Sequence, residues 1–482
     1  MPAVGGPNRA LTRAAAPVLT SRRPEMRAAS PDALPPKARA LALLTLLALA
    51  VRAAFLLLEP STHPVADERT WTNWAVESLV TPRVSFSPLR THMIFYPPLY
   101  PYFIAAAYGV FHTLQAAKWA QVAAGALLVP AVGMAGARAF GTRVGLTAAL
   151  VTALYPDLVW FAAHFWSETL FLVFLWWAME RLLASDARAS LPAAAAAGLL
   201  WGLAVLTRET ILYLTPLAAL WLAVPAGRGG ARRGAAFLLC AALAIAPWTL
   251  RNWIAFRAFV PVSTAGGLAL FQGNARLTRQ EVYDRYEAVH GRIEQYRFAR
   301  REGWRAIAER QPLWAFEKLA EQMPRFWEAD SLALIHIKRG AYGAVPPAAA
   351  VATAVVILAP YLAVLAGFAA GLALRPLDRP RILLLGFLVS YNALHVVTHG
   401  FARYRLPVMP VVFLFAAAAW VAWREGALVR ELLASRRRAA VATAVAAALL
   451  LCLIPSFRMN LGHPAFGLVD QAEPAIEEQP AP

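Results

Sequence analysis

Long apolar runs separated by short basic clusters set the pattern of this chain. The runs lie near residues 39–58, 118–137, 143–163, 168–184, 191–207, 210–225, 234–252, 346–373, 382–397, 406–423 and 439–456. A helix rising about 1.5 Å per residue needs about 20 apolar residues to cross about 30 Å of hydrocarbon. The pattern therefore predicts an all-α polytopic membrane protein of about eleven transmembrane helices over residues 39–456. Residues 1–38, rich in Ala, Pro and Arg and without apolar periodicity, read as a disordered basic cytoplasmic tail. Residues 457–482 read as an outward C-terminal tail.

Composition agrees. The chain is 59% hydrophobic with a mean hydropathy of +0.50, which excludes a soluble core. Its net charge of +18 could point to nucleic acid. The basic residues, however, sit in clusters between apolar runs, as in loops facing an anionic cytoplasmic leaflet, and nucleic acid is not expected as a partner. Cys240 and Cys452 fall inside apolar runs and read as packing residues. The pair Arg22–Arg23 has no signal-like apolar run close behind it and reads as part of a solvated tail.

Charge also predicts orientation. With the N-terminus in the cytoplasm, alternate loops place Arg138 and Arg143, Arg181 and Arg188, Arg228, Arg232 and Arg233, Arg375, Arg379 and Arg381, and Arg424, Arg430 and Arg436 to Arg438 on the inner side. The tail acids Glu473, Glu477 and Glu478 then fall outside. The Ala, Arg and Pro content suggests a GC-rich bacterial genome, so the expected location is a bacterial cytoplasmic membrane.

Two expected outward segments are long. Residues 59–117 hold the adjacent acids Asp67 and Glu68 and then the aromatic stretch from Tyr96 to Phe111, read as helices lying at the membrane interface. Residues 253–345 carry apolar positions at three- and four-residue spacing among mixed charges, read as a helical cap over the outer face. Specificity is expected in these two loops.

The positive-inside pattern leaves a residue of misplaced charge. Arg208 with Glu209, Arg251 beside Asn252, the group His399, Arg403 and Arg405, and Asp157 and Glu168 all fall at expected outer helix ends. Charge at a bilayer edge costs free energy unless paired or wetted, so a shared outward cavity is expected. Arginine forks suit phosphate oxygens, and the same side chains could also snorkel to headgroups. Ser167–Glu168 also reads as a helix start with an acid in its first turn, and Arg251 as a cation near a helix end.

In order along the chain, VADERTWTNWAVESL, YPPLYPYFIAAAYGVF, WSETLFLVFLWWAMERLL, GLLWGLAVLTRETILYLTPL, APWTLRNWIAFRAFVPVSTAGGLALFQGN and HGFARYRLPVMPVV resemble the bacterial branch of the GT-C superfamily of glycosyltransferases. That branch is similar to protein O-mannosyltransferases and lipid A aminoarabinose transferase. The resemblance spans about residues 40–455. It implies an enzyme that moves a sugar from a polyprenyl-phosphate carrier to an acceptor on the outer face, with the first acid of the pair, Asp67, as catalytic base. Thr207-Arg208-Glu209 departs from relatives that have Pro after the Arg, which leaves Glu209 open.

The chemistry fits those residues. A sugar on a phosphate has an anionic leaving group, so the enzyme needs a base for the acceptor hydroxyl and positive charge for the departing phosphate. Asp67 is the candidate base, and one-step attack implies inversion. Glu68 would orient the acceptor, bind a cation or tune Asp67. His399, Arg403, Arg405, Arg208 and Arg251 are the candidate phosphate ligands, and Glu168 a supporting or metal-binding group. A divalent cation is a possible cofactor, with His63, His92, His164 and His399 as scattered candidates. The acceptor, whether protein, lipid or glycan, is open. A transporter or flippase of lipid-linked saccharide is the competing class. It predicts polar or broken helices at mid-membrane depth and paired repeats, whereas here the charges gather at one face and the sequence shows no repeat. A noncatalytic scaffold would not depend on Asp67.

Overall fold

The computed structural model describes residues 38–59, 67–80, 94–224, 228–461 and 463–466, and among these every regular element is helical. Arg22, Arg23, His63, His92, Glu473, Glu477 and Glu478 lie outside the described residues, as do residues 1–37 and 467–482 of the expected tails; residues 457–461 belong to the last long helix.

The chain runs through α1 (Ala38–Leu58), α2 (Asp67–Val80), α3 (Leu99–Phe111), α4 (Leu114–Ala126), α5 (Leu128–Phe140), α6 (Thr142–Leu154) and α7 (Pro156–Ala163). It continues with α8 (Glu168–Arg188), α9 (Leu191–Thr207), a 3-10 helix at Glu209–Leu214, α10 (Thr215–Ala223) and α11 (Arg228–Phe256). Five helices follow before the next long one: α12 (Ala265–Asn274), α13 (Arg279–Glu287), α14 (Arg292–Ala308), α15 (Trp314–Trp327) and α16 (Leu332–Lys338). Then come α17 (Pro347–Leu374), α18 (Arg379–Val397), a 3-10 helix at Ala402–Val408, α19 (Met409–Arg424), α20 (Leu428–Leu433) and α21 (Arg436–Leu461).

All eleven apolar runs are helical, but they do not all qualify as spans by length and apolarity. Seven helical stretches do among the described residues, and the pair α6 and α7, bent by 50°, makes an eighth. The other three are α8, which carries Glu168, Glu180, Arg181, Asp186 and Arg188; α9, of 17 residues; and the Glu209–Ala223 stretch, whose first turns are 3-10. Hydropathy does not separate a lipid-facing helix from one enclosed by protein, and these three of the eleven expected spans are short, charged or broken. α8 is buried on nearly every face, whereas α1 exposes Leu43, Leu46, Leu57 and Leu58.

Helices meet through small residues, as bundles in lipid require. A Cβ on Gly198 of α9 would fall 2.1 Å from the carbonyl oxygen of Phe237 in α11, and one on Gly371 of α17 would fall 1.9 Å from that of Phe415 in α19. Three ion pairs tie loops that the charge pattern assigns to one side. They are Arg138–Glu180 at 2.8 Å, Arg143–Glu425 at 2.7 Å and Arg379–Asp186 at 2.7 Å, and they gather at one end of the bundle.

Arg52, the one charge between Leu41 and Leu58, has a structural reason. Pro156 has no N–H to bond the carbonyl of Thr152, and the extended Tyr155 ends α6, so the last carbonyls of that helix lose their ladder partners. The Arg52 guanidinium, 1% exposed, donates to Ala153 O at 2.9 Å and Thr152 O at 3.2 Å, and back to Ala48 O at 3.2 Å. Replacing it strands those oxygens. Arg52→Leu is expected to lower unfolding stability by about 2–4 kcal/mol, read as a drop in thermal midpoint in detergent, because each unsatisfied buried group costs about 1–3 kcal/mol.

Candidate active site

Asp67 opens α2, where a carboxylate meets the positive end of the helix. Aromatic packing holds that helix in place: the Trp71 ring lies 4.8 Å from Tyr96 and 5.6 Å from Tyr100, and Trp74 lies 5.9 Å from Tyr102. Successive helix positions diverge by about 100°, and the two adjacent acids separate accordingly. Asp67 stays one-third exposed, while Glu68 is 2% exposed and accepts the backbone N–H of Phe165 at 2.8 Å. Just before the 60–66 stretch, Glu59 pairs with His164 at 2.6 Å. His164 in turn contacts Trp160 O through Nδ1 at 2.9 Å and stacks on the Trp160 ring. The chain on either side of residues 60–66 is thus tied to two consecutive residues, His164 and Phe165.

Arg403 meets Asp67 from the far end of the sequence. Its Nη1 donates to Asp67 Oδ2 at 2.9 Å, and its guanidinium lies over the rings of Trp166 at 4.9 Å and Tyr404 at 5.1 Å. Its Nε stands 4.0 Å from Glu168 Oε1, and that same oxygen accepts from Arg208 Nη1 at 2.7 Å. Arg208 also donates to Ser167 Oγ at 3.2 Å. The result is a row of alternating charge, Asp67, Arg403, Glu168 and Arg208, built from α2, the Ala402–Val408 turn, the start of α8 and the end of α9. Glu168 is 1% exposed and its Oε2 has no hydrogen-bond partner.

Arg405 does not join this row. A 3-10 helix has about three residues per turn, so positions two apart point about 120° away from each other, and Arg403 and Arg405 diverge. Arg405 is 1% exposed, donates to Glu328 O at 2.7 Å and Asp330 O at 2.5 Å, and sits 4.1 Å over Tyr361. Its Nη1 and Nη2 are turned to the backbone of residues 328–330, so the structure sets it apart from Arg403, beside which the sequence grouped it as a phosphate ligand. Sequence adjacency suggested a cluster, and helical geometry separated it.

His399 is hydrogen-bonded through Nε2 to the Tyr404 hydroxyl at 3.2 Å. Burial, reinforced by the charges of Arg403 and Lys318, pushes its imidazole down to about 4, so at neutral pH it offers a neutral hydrogen-bonding group rather than a cation. Arg251 lies over Trp248 at 4.7 Å and Phe256 at 5.2 Å and donates to Asn252 Oδ1 at 3.0 Å, contacts that hold the last turns of α11. The four-residue row is built without it.

Glu209, left open by the sequence, accepts from Ser263 Oγ at 2.6 Å, and its Oε1 lies so near Gly266 that a Cβ there would fall 2.7 Å away. It fastens the start of α12. Lys318, fully buried in α15, donates to Gly273 O at 2.6 Å and Thr398 O at 3.1 Å, joining α12 and α15 to the end of α18. Tyr404, Trp166 and Lys318 were not singled out from the sequence. The only available signal for the first two was their place beside Arg403 and Glu168. Among the described residues no group of three His, Cys, Asp or Glu side chains is arranged to hold a metal ion. Asp67 and Glu168 are each engaged by an arginine.

Residues 96–250 match the family described as dolichyl-phosphate-mannose-protein mannosyltransferase, a segment that contains Glu168 and Arg208 but neither Asp67 nor Arg403. No curated protein matches the chain. Among solved structures, it is similar to the Archaeoglobus fulgidus oligosaccharyltransferase tethered to an acceptor peptide with the NVT sequon. That match has a TM-score of 0.50 and 15% identity, covering 89% of this chain and 54% of that one. It is also similar to the apo form of that enzyme, with a TM-score of 0.49, 16% identity and 87% and 55% coverage. The complex of the enzyme, AglB, with an inhibitory peptide and a dolichol-phosphate gives a TM-score of 0.48, 16% identity and the same coverage. The chain thus spans about 55% of the length of these oligosaccharyltransferase structures.

Two outcomes check the geometry. Arg405→Met should cost stability, about 2–4 kcal/mol from stranded carbonyls, while leaving the Asp67–Arg403 contact in place. Its readout is the thermal midpoint. Burial, with Asp330 adding, pushes the Glu328 carboxyl up to about 7. The folded state therefore holds that proton more tightly than the unfolded chain, and the stability it contributes is full below the ordinary carboxylate value and lost as pH rises through about 7. Thermal midpoints should fall between about pH 5 and pH 8, and Glu328→Gln should flatten that slope.

Residues 96–250 of this all-helical chain are thus similar to the dolichyl-phosphate-mannose-protein mannosyltransferase family.

Proposed function

We propose that this chain transfers a sugar from a polyprenyl-phosphate-linked donor to an acceptor hydroxyl at the extracytoplasmic face of a bacterial cytoplasmic membrane. The observation that carries this reading is the Asp67–Arg403 contact at 2.9 Å, which sets a one-third-exposed carboxylate beside a guanidinium at the end of the bundle away from the Arg138, Arg143 and Arg379 ion pairs. Such a juxtaposition supplies both needs of the reaction, a base for the nucleophile and a cation for the leaving phosphate.

In this reading Asp67 takes the acceptor proton as the hydroxyl attacks the anomeric carbon from the face opposite the phosphate. The carbon–oxygen bond to the phosphate breaks, configuration inverts, and the bonding electrons stay on the carrier phosphate. Arg403 meets the growing charge there, with Arg208 behind it. Trp166, buried under Arg403, supports the guanidinium from below. Glu68 acts through its bond to Phe165, holding the first turn of α2. The family matched by residues 96–250 takes its name from a lipid phosphate sugar and a protein acceptor, which favours a lipid-phosphate donor here and leaves protein, lipid and glycan acceptors to be compared.

The test is sugar transfer from a panel of polyprenyl-phosphate sugars by purified protein in nanodiscs, wild type against a folded Asp67→Asn variant. Transfer that falls at least about a hundredfold in the variant, about 2.7 kcal/mol of transition-state stabilisation, is the expected result. Equal activity in both removes Asp67 from the mechanism. Donor binding without transfer favours a carrier of lipid-linked saccharide instead.

A further inference from the structure

Asp67 and Arg403 are each given a separate task in the reading above, yet in this structure they occupy each other. While Arg403 Nη1 donates to Asp67 Oδ2 at 2.9 Å, that oxygen is not open to the proton of an acceptor hydroxyl, and the guanidinium is not fully open to a phosphate. Arg208 is engaged in the same way with Glu168 at 2.7 Å. Two guanidinium groups and two carboxylates sum to zero charge, so an arriving phosphate anion gains a cation only by taking one from a carboxylate.

The two pairs are unequal. The Glu168 side chain is 2% exposed and already has one oxygen without a partner, so losing Arg208 would leave a buried and uncompensated charge. The Asp67 side chain is 34% exposed and on release returns to water. Arg403 has the matching asymmetry. Its Nη1 faces Asp67, whereas among the described residues its Nε is buried without a hydrogen bond and its Nη2 is held only by the Tyr404 hydroxyl at 3.4 Å. Nε and Nη2 form the edge of the fork that grips an oxyanion in two places. The pair that opens is therefore Asp67–Arg403.

We infer that Arg403 is a latch on the base: the donor's phosphate draws the guanidinium away from Asp67, so that donor binding is the event that frees Asp67 for the acceptor. The inference rests on the reading that Arg403 contacts the carrier phosphate. It assigns Arg403 a second role, setting the order of substrates, donor before acceptor. An acceptor hydroxyl reaching the site early meets a carboxylate oxygen that is already engaged.

The experiment is a double-mutant cycle on binding of polyprenyl phosphate without a sugar, measured by tryptophan fluorescence in nanodiscs on wild type, Asp67→Asn, Arg403→Gln and the double variant. Asp67→Ala serves as a second variant, which cannot bond the phosphate itself. Wild type should bind, and Arg403→Gln should weaken binding about tenfold, the loss of one charge-assisted contact. Removing the latch should tighten binding about two- to fivefold in both Asp67 variants, the range of a partly exposed ion pair. That gain should vanish when Arg403 is also Gln. Unchanged or weaker binding in both Asp67 variants overturns the latch, and so does a gain that persists in the Arg403→Gln background, since that is plain repulsion between Asp67 and phosphate. If wild type does not bind polyprenyl phosphate, or Arg403→Gln binds as wild type does, the phosphate reading itself fails and the latch falls with it.

Discussion

A guanidinium enclosed in a helical bundle must be given oxygens, and the arginines of this chain receive them where helices break. Arg52 takes the carbonyls freed by Pro156, Arg405 takes those of Glu328 and Asp330 between α15 and α16, and Arg208, capping α9, takes the first carboxylate of α8. A broken helix in a low-dielectric interior leaves backbone dipoles without partners, and a buried cation alone would be costlier still. Each deficit cancels the other. The breaks are therefore fixed points, and the Asp67 end of the bundle is built on them: the bend at Pro156 sets the direction of α7, α7 leads to His164 and Phe165, and those two residues hold the chain around Asp67.

The charged row is assembled from distant parts of the chain. Asp67 and Arg403 are 336 positions apart, while Glu168 and Arg208 both lie in the segment that matches a known family. Each half contributes one carboxylate and one arginine. Neither half is balanced toward a phosphate by itself, and the Nε of Arg403, standing 4.0 Å from Glu168, is the only point where the two are stitched together in the row.

The sequence made the class of fold plain because lipid imposes one dominant rule: backbone must be satisfied within helices, and those helices must be long and apolar. The same rule blurred the span count, because α8 and α9 are apolar for contact with protein as much as with lipid. Charges out of step with the positive-inside pattern drew attention to Glu168, Arg208 and Arg403, the adjacent acids drew attention to Asp67, and these four side chains converge. Arg405 was drawn in with them because periodicity was read for the long helices and not for the short 3-10 turn, where two residues of separation reverse the outcome. Arg52 stood out as an interruption, yet its partner is a proline break about 100 residues away, and nothing local in the sequence connects the two. Glu68 and Asp67 look alike as a pair of acids. Only the helical step between them made one an anchor and left the other accessible.

The anchoring of Glu59 to His164 and of Glu68 to Phe165 has a consequence for how such a chain can change over evolutionary time. The end of α1 and the start of α2 are moored to neighbouring residues of one peptide, so Glu59, His164 and Glu68 answer to a common constraint. A lineage that alters one of them shifts the start of α2, and Asp67 with it, unless the others change too.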